Sequence, residues 1–397
     1  MDAAPRWDLY CRVVDNLGDA GILWRLARQL AVDEGCSVRL MIDDPGALAV
    51  MLPGACHGAR IDAVEIRPFD ATPAPPPDVI VCGFHAEAPA AARAPVRINY
   101  EYLSAEPWID EFHGSPSPRA DGRLEHYFYP GFTEASGGLP LERDLLSRRD
   151  AFQSDPTAGR RFLAALGVDL APRERPLSVF VYPCSPIDRL LGEASRLPES
   201  LGRVHLVVPA TDVAGERARW RARLADAGLD RPPDGGATVR VSVVPMLPQS
   251  DFDLLLWSCE LNLVRGEDSW IRALWAARPF LWQAYPQADE TRRAKVDAFL
   301  ARLAPAGVGA GVGTDLGDGA NALPDPLQCL CEWHRTWNGL PASAFAPDRG
   351  GPGLLETILA RPDPIRARLL AWSGELGRRR AAPRLVAFAD AIARRTL

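Results

Sequence analysis

Five consecutive residues in the second half of the chain combine the groups of a phosphate site with two carboxylates. Residues 261–264 are apolar enough for a short buried strand, and after it come Arg265, Gly266, Glu267, Asp268 and Ser269. A glycine lets the backbone turn where a Cβ would clash, and the N–H groups at a helix start bind anions. This turn is therefore predicted to bind a diphosphate beside the Arg265 cation.

A structural interpretation of the same turn is also open. Asp268 and Ser269 are good N-cap residues, so a capped helix with Arg265 paired to an acidic neighbour would explain part of the pattern. A purely structural turn does not require both Glu267 and Asp268. A site that holds a diphosphate and also handles a cation or a hydroxyl group would use both carboxylates, which favours function.

A second acidic segment lies near the start of the chain. The segment 15–21 contains Asp15, Asn16, Gly18 and Asp19, and it separates a predicted strand, Trp7–Val14, from a predicted helix that begins at Ile22. Strand-to-helix turns of this kind line the clefts of α/β proteins. The structural alternative is that Asp19 caps the helix and Asp15 begins a turn. This alternative explains one carboxylate readily, but it explains two carboxylates together with Asn16 and the two glycines less well.

A third group could surround a nucleobase. Tyr182 ends the predicted strand Leu177–Tyr182, and Gln249 and Phe252 follow another predicted strand. An aromatic ring at such a strand end can stack on a base, and a glutamine can bind its polar edge. The pattern alone favours core aromatics and a surface glutamine.

These residues lie on two successive series of alternating strands and helices, which predict parallel sheets covered by helices. The predicted fold class is α/β, with two Rossmann-like domains that face each other across a central cleft. The first domain is predicted at residues 1–155 and the second at 156–377, and a C-terminal helix at about 378–397 is predicted to pack back on the first. The irregular segment 101–150, rich in aromatics, either lines a site or forms a loop-rich wall of the core, and the pattern leaves both interpretations open.

Several classes of protein are disfavoured by composition and spacing. The net charge of −6 argues against nucleic acid as the main partner. No H-x-x-H or C-x-x-C spacing supports a metal site. The glycine-rich run 306–319 lacks the strand and helix of a dinucleotide fingerprint, so it is predicted to be a flexible loop. Without an apolar leader or span, the chain is predicted to be cytoplasmic with no membrane partner.

The motifs resemble those of the bacterial protein-arginine rhamnosyltransferases that modify elongation factor P, the EarP family. The resemblance rests on the run 7–27, on the run 257–287 with LNLVRGEDSWIRALWAARPFLWQAYPQ at its centre, and on the shorter motifs 101–106 and 129–133. It implies a GT-B glycosyltransferase fold and an inverting transfer of L-rhamnose from dTDP-β-L-rhamnose to an arginine of elongation factor P. The implied purpose is to relieve ribosome stalling at polyproline, and no metal or other cofactor is implied.

The resemblance also implies roles for individual residues. Asp19 corresponds to the proposed general base, and Asp15 and Glu267 correspond to further essential acids. The residues implied to contact the donor are Asn16, Gly18, Tyr182, Gln249, Phe252, Arg265, Gly266, Asp268 and Ser269. Acceptor contacts are expected between residues 101 and 132. Leu17 and Trp270 stand where the family often has phenylalanine, which puts no catalytic group in doubt.

Three other functions remain as alternatives. A GT-B enzyme could use another nucleotide sugar or a small-molecule acceptor. A non-catalytic nucleotide-binding or translation-factor-binding module would not need the acids. An oxidoreductase is disfavoured because the glycine-rich run is out of context.

Overall fold

The computed structural model describes residues 4–14, 17–230, 239–305, 325–341 and 353–396. The chain forms two compact units, of which the first comprises residues 1–148 and 374–397 and the second comprises residues 149–373. Within the described ranges, no helix is long and apolar enough to cross a membrane.

The strands and helices alternate along most of the chain. The strands are β1 (Arg6–Cys11), β2 (Ser37–Ile42), β3 (Arg60–Ile61), β4 (Val64–Pro68), β5 (Val79–Gly83), β6 (Val96–Tyr100), β7 (Pro116–Pro118), β8 (Leu124–Phe128), β9 (Glu174–Val179), β10 (Arg203–Ala210), β11 (Val239–Pro245), β12 (Leu261–Arg265) and β13 (Phe280–Gln283). The helices are α1 (Leu17–Arg28), α2 (Pro45–Ala49), α3 (Trp108–Phe112), α4 (Leu145–Ser154), α5 (Ala158–Ala165), α6 (Ile187–Ser195), α7 (Val213–Asp226), α8 (Gln249–Ser258), α9 (Asp268–Ala276), α10 (Asp289–Leu303), α11 (Pro326–Trp337), α12 (Leu354–Ala360), α13 (Asp363–Leu376) and α14 (Ala381–Thr396).

The first unit is built on a sheet with the strand order β3-β4-β2-β1-β5-β6-β8-β7. The six central strands pair in parallel, and β3 and β7 add antiparallel edges. Because parallel strands end at the same edge of a sheet, the residues after β1, β5, β6 and β8 lie along one edge.

The second unit is built on a fully parallel sheet with the order β11-β10-β9-β12-β13. β12 lies between β9 and β13, and its residues Leu261–Val264 are buried. Strands covered on both faces need continuous apolar sequence, which explains why this strand is visible in the sequence.

The last helix completes the core of the first unit. Ala382, Leu385, Ala389 and Ile392 of α14 are buried in the same apolar cluster as β1, β2 and α1. The chain therefore begins and ends in the same unit.

The predicted bounds around the first acidic segment are wrong. β1 ends at Cys11 rather than at Val14, because Val14 leaves the core and is 79% exposed. α1 begins at Leu17 rather than at Ile22, so Asp19 lies inside its first turn. An acid in a first turn is stabilised by the helix dipole, and burial of Ala20 extends the apolar face of the helix.

The irregular aromatic segment contains a strand that the sequence pattern did not reveal. β8 pairs in parallel with β6 through Ile98 opposite His126 and Tyr100 opposite Phe128. Its sequence, Leu-Glu-His-Tyr-Phe, lacks a clear period of two. The predicted glycine-rich loop 306–319 lies outside the described residues.

Candidate active site

The turn between β12 and α9 requires a glycine. Gly266 has a φ of +63°, and a Cβ at this position would lie 3.2 Å from the hydroxyl oxygen of Tyr182. The Gly266 carbonyl accepts a hydrogen bond of 2.6 Å from Trp282 Nε1, and its N–H donates to the Gln283 carbonyl at 3.2 Å. Both the backbone conformation and the close approach of Tyr182 disfavour a side chain here.

Ser269 closes this turn from inside the helix. Its hydroxyl accepts a hydrogen bond of 3.1 Å from the Arg265 N–H and donates one to the Arg265 carbonyl. The prediction that Asp268 or Ser269 is the N-cap is wrong, since α9 starts at Asp268 and Glu267 is its N-cap residue. The Ser269 side chain bonds back to the strand end instead of capping the helix.

The start of α9 presents backbone donors beside a cation. The Ile271 N–H donates to the Glu267 carbonyl at 3.1 Å, so the first turn of α9 begins directly after Arg265 and Gly266. Glu267, as N-cap residue, makes no side-chain capping hydrogen bond. A helix start with Arg265 immediately before it is a favourable place for a diphosphate.

Arg265 is held by two aromatic rings. Its guanidinium carbon lies 4.6 Å from the centre of the Phe180 ring and 4.8 Å from the centre of the Tyr182 ring. Such contacts orient a guanidinium group without neutralising it. Among the residues that the structure describes, Arg265 forms no ion pair, so the structural alternative of a neighbouring acidic partner is not found.

The aromatic wall continues into the third predicted group. Phe252 of α8 meets Phe180 edge to face at 5.4 Å, and Tyr182 meets Tyr285 in the same way at 5.9 Å. Gln249 is the first residue of α8, about one turn before Phe252. The fold therefore brings Tyr182, Phe252 and Arg265 together, with Gln249 on the adjoining helix start.

Two contributors to this site were not predicted. The ring of Phe180 contacts both Arg265 and Phe252. Gln283 accepts hydrogen bonds from the Ser185 hydroxyl and from the Tyr182 N–H, the latter at 3.4 Å. Phe180 could have been found, because residues two apart in an extended segment share a face and Tyr182 was already a candidate. Gln283 belongs to a different strand, and no local pattern marks it.

Buried polar contacts fix the elements behind the turn. Asp253 of α8 accepts two hydrogen bonds, at 2.7 and 2.6 Å, from the buried Arg272 of α9. Ser178 of β9 donates to the Asn262 side chain of β12 at 2.7 Å. Trp270 stacks on Trp282 at 3.8 Å. These contacts hold α8, α9, β9 and β12 in one arrangement.

In the first unit, Asp19 is buried at the carboxyl edge of the sheet. It is 3% exposed, and its carboxylate accepts a hydrogen bond of 3.0 Å from the Val14 N–H. Gly18 precedes it in the first turn of α1, while Asp15 and Asn16 lie outside the described residues. A Cβ at Gly83, which ends β5, would approach the Leu23 side chain to 2.4 Å, so α1 packs tightly against the end of that strand.

No group of three or more His, Cys, Asp or Glu side chains that could hold a metal ion occurs in the described part of the chain. The positive charge at the turn after β12 comes from Arg265 and the helix start.

Known proteins match this chain over most of its length. A sequence profile described as "Elongation-Factor P (EF-P) rhamnosyltransferase EarP" matches residues 7–318. The protein-arginine rhamnosyltransferase of Pseudomonas putida is 42% identical over 74% of this chain and 80% of its own length. That of Pseudomonas aeruginosa is 43% identical over the same shares of the two chains.

A solved structure supports the fold. The structure described as the structural basis for EarP-mediated arginine glycosylation of translation elongation factor EF-P has a TM-score of 0.59 and 28% identity, and the match covers 96% of this chain and 98% of that one. The two sheets described above, parallel except at the edge strands β3 and β7, are consistent with two Rossmann-like domains. This chain therefore belongs to the elongation factor P rhamnosyltransferase family and is a glycosyltransferase with a GT-B fold.

Proposed function

We propose that this protein transfers L-rhamnose from dTDP-β-L-rhamnose to an arginine side chain of elongation factor P, with inversion at the anomeric carbon. The assignment of the donor rests on the contacts of the Arg265 guanidinium group with the rings of Phe180 and Tyr182, immediately before α9. The relatives named as protein-arginine rhamnosyltransferases support the acceptor class.

The donor is assigned to the second unit, which corresponds to the domain predicted at 156–377. Arg265 and the N–H groups of Asp268 and Ser269 bind the diphosphate and stabilise the charge that develops as the bond from the anomeric carbon to its oxygen breaks. Gly266 allows the close approach. Tyr182, Gln249 and Phe252 bind the thymine and deoxyribose, and Asn16 and Gly18 add contacts from the first unit. The reaction requires no metal in this scheme.

The acceptor is assigned to the first unit, which corresponds to the domain predicted at 1–155 with the helix predicted near 378–397. A free guanidinium group is a poor nucleophile because it stays protonated at neutral pH. In the proposed step, Asp19 accepts a proton from one guanidinium nitrogen as that nitrogen bonds to the anomeric carbon and dTDP leaves. Asp15 and Glu267 hold and orient the guanidinium group.

The modified factor is proposed to support synthesis of polyproline segments by relieving stalled ribosomes. Since its acceptor would be a translation factor, we place the reaction in the cytoplasm.

Intact-mass spectrometry of elongation factor P tests this function. Incubation with the protein and dTDP-β-L-rhamnose should add one deoxyhexose, and replacement of the target arginine by lysine in the acceptor should abolish the addition. A panel of other nucleotide sugars serves as the control. No deoxyhexose on the wild-type acceptor would contradict the proposal, and addition from a different nucleotide sugar would favour the alternative GT-B transferase.

A further inference from the structure

A second acidic site lies at the carboxyl edge of the first sheet. Glu101 directly follows β6, and its Oε1 accepts a hydrogen bond of 2.5 Å from Asn99 Nδ2 and lies 2.9 Å from His85 Nε2. The Asn99 side-chain oxygen in turn accepts a hydrogen bond of 3.1 Å from the His85 N–H. Asn99 therefore fixes both the carboxylate and the backbone that carries the histidine.

Aromatic rings lie beside the pair formed by Glu101 and His85. Phe84 stacks on Tyr102 at 4.4 Å with an interplanar angle of 15°, and Tyr127 stacks on Tyr129 at 6.0 Å. The His85 ring meets Tyr127 at 6.2 Å. A buried carboxylate with aromatic faces nearby is a favourable environment for a guanidinium or ammonium group, because both components attract a cation.

Burial disfavours the charged form of Glu101. Burial raises the pKa of Glu101, while His85 and hydrogen bonds from the Tyr102 N–H and Asn99 lower it and Glu125 raises it further. Glu101 also contributes to the raised pKa of Tyr129, after burial. A fully charged basic side chain would compensate this carboxylate better than an imidazole group does.

The histidine is the partner of Glu101 that can be displaced. The Glu101 side chain is 7% exposed, whereas that of His85 is 62% exposed. His85 and Phe84 have φ values of +61° and +53°, an unfavourable conformation for residues with a Cβ. Two successive residues with positive φ make this a strained segment, and strained segments are common at binding sites.

We propose that Glu101 is an acceptor-positioning carboxylate, which binds a guanidinium or ammonium group of the acceptor protein in place of the His85 ring. This inference rests on the proposed function, since it extends the acceptor side of that site. β1, β5 and β6 are successive neighbours in the sheet, so Glu101 lies about two strand spacings, or ~10 Å, from the strand that leads to Asp19. The site lies within the segment 101–132 in which acceptor contacts are expected.

Steady-state kinetics with E101Q test the proposal. The KM for the acceptor should rise roughly 10- to 100-fold, as expected for loss of a hydrogen-bonded charge, while the KM for the donor stays unchanged. The matched control is E87Q, which removes the same charge from an exposed residue of the neighbouring loop. An acceptor KM that changes no more in E101Q than in E87Q overturns the proposal, and so does an equal rise in both KM values.

H85A separates binding from a structural role. Removing the competing ring should lower the acceptor KM, the opposite of the E101Q effect. A merely structural pair would weaken both variants in the same direction, and that result would overturn the proposal.

A binding assay distinguishes the two sources of the cation and works without turnover. If E101Q weakens binding of wild-type elongation factor P but not of its target-arginine-to-alanine variant, Glu101 binds the target arginine. If it weakens both equally, Glu101 binds a neighbouring basic residue. If it weakens neither, the inference is wrong even where transfer is normal. Absence of transfer by wild-type enzyme would instead contradict the proposed function.

Discussion

The turn after β12 and the start of α1 each follow a parallel strand, but they present different side chains. β12 is followed after two residues by α9, and β1 is followed along the chain by α1. The first presents a stacked cation, and the second presents the buried carboxylate of Asp19. The two strand–helix connections therefore carry the side chains that we propose for the leaving diphosphate and for the attacking guanidinium group, respectively.

The largest effect is expected from D19N. An amide of the same shape can still accept the hydrogen bond from Val14 but cannot take up a proton. We expect kcat to fall about 10²- to 10⁴-fold, the range for loss of a general base, with the melting temperature nearly unchanged. D70N, at an exposed residue of the same unit, is the matched control in the rhamnose-transfer assay. A kcat close to that of D70N would show that Asp19 is not the base.

D253N should have the largest effect on stability. It leaves the buried Arg272 without its carboxylate, and breaking a buried ion pair costs about 3–5 kcal/mol. Urea unfolding followed by tryptophan fluorescence measures the loss. Replacing both partners, as in D253L/R272M, should recover part of it, and a D253N variant as stable as wild type would contradict the proposed support of the donor turn.

R265A should weaken binding of the donor and leave binding of the acceptor unchanged. We expect the KM for dTDP-β-L-rhamnose to rise roughly 10- to 100-fold, since a hydrogen bond to a charged group is lost, while the acceptor KM is unaffected. R265K keeps the charge but loses the planar stacking on Phe180 and Tyr182, so its effect should be intermediate. R221A, at an exposed residue of α7, provides the control. An R265A effect on the acceptor KM alone would reverse the assignment of the two sites.

G266A should have the smallest of these effects. The φ of +63° and the contact with the Tyr182 hydroxyl together predict a strain of about 1–3 kcal/mol. A thermal-shift assay with and without dTDP should show a lower melting temperature and a smaller shift on binding. Combining G266A with Y182F should relieve the steric part only, whereas a G266A variant that behaves as wild type would refute the role of the turn.

The parts of this arrangement that depend on local sequence were predictable. The apolar run of β12, the glycine and the helix that follows identified the Arg265 turn, because each signal lies within a few residues of the next. The burial of Asp19 inside α1 was not predicted, since the glycines around it suggested a loop. The N-cap was assigned wrongly because the Ser269 hydroxyl has a backbone partner at Arg265 that competes with capping.

Contacts between distant segments were harder to predict. The contact of Phe180 with Arg265 depends on the pairing of β9 with β12, and that of His85 with Glu101 depends on the pairing of β5 with β6. β8 was missed because its apolar residues do not alternate clearly. Strand order is decided by packing across the whole unit, which no short stretch of sequence encodes.

Calorimetric titration of dTDP into wild type, D19N and R265A tests most directly whether dTDP binding depends on Arg265 and not on Asp19. The account predicts that D19N binds dTDP as tightly as wild type, while R265A binds it roughly 10- to 100-fold more weakly. If D19N loses dTDP binding to the same extent as R265A, or if R265A binds it normally, the assignment of the diphosphate to the Arg265 turn is wrong.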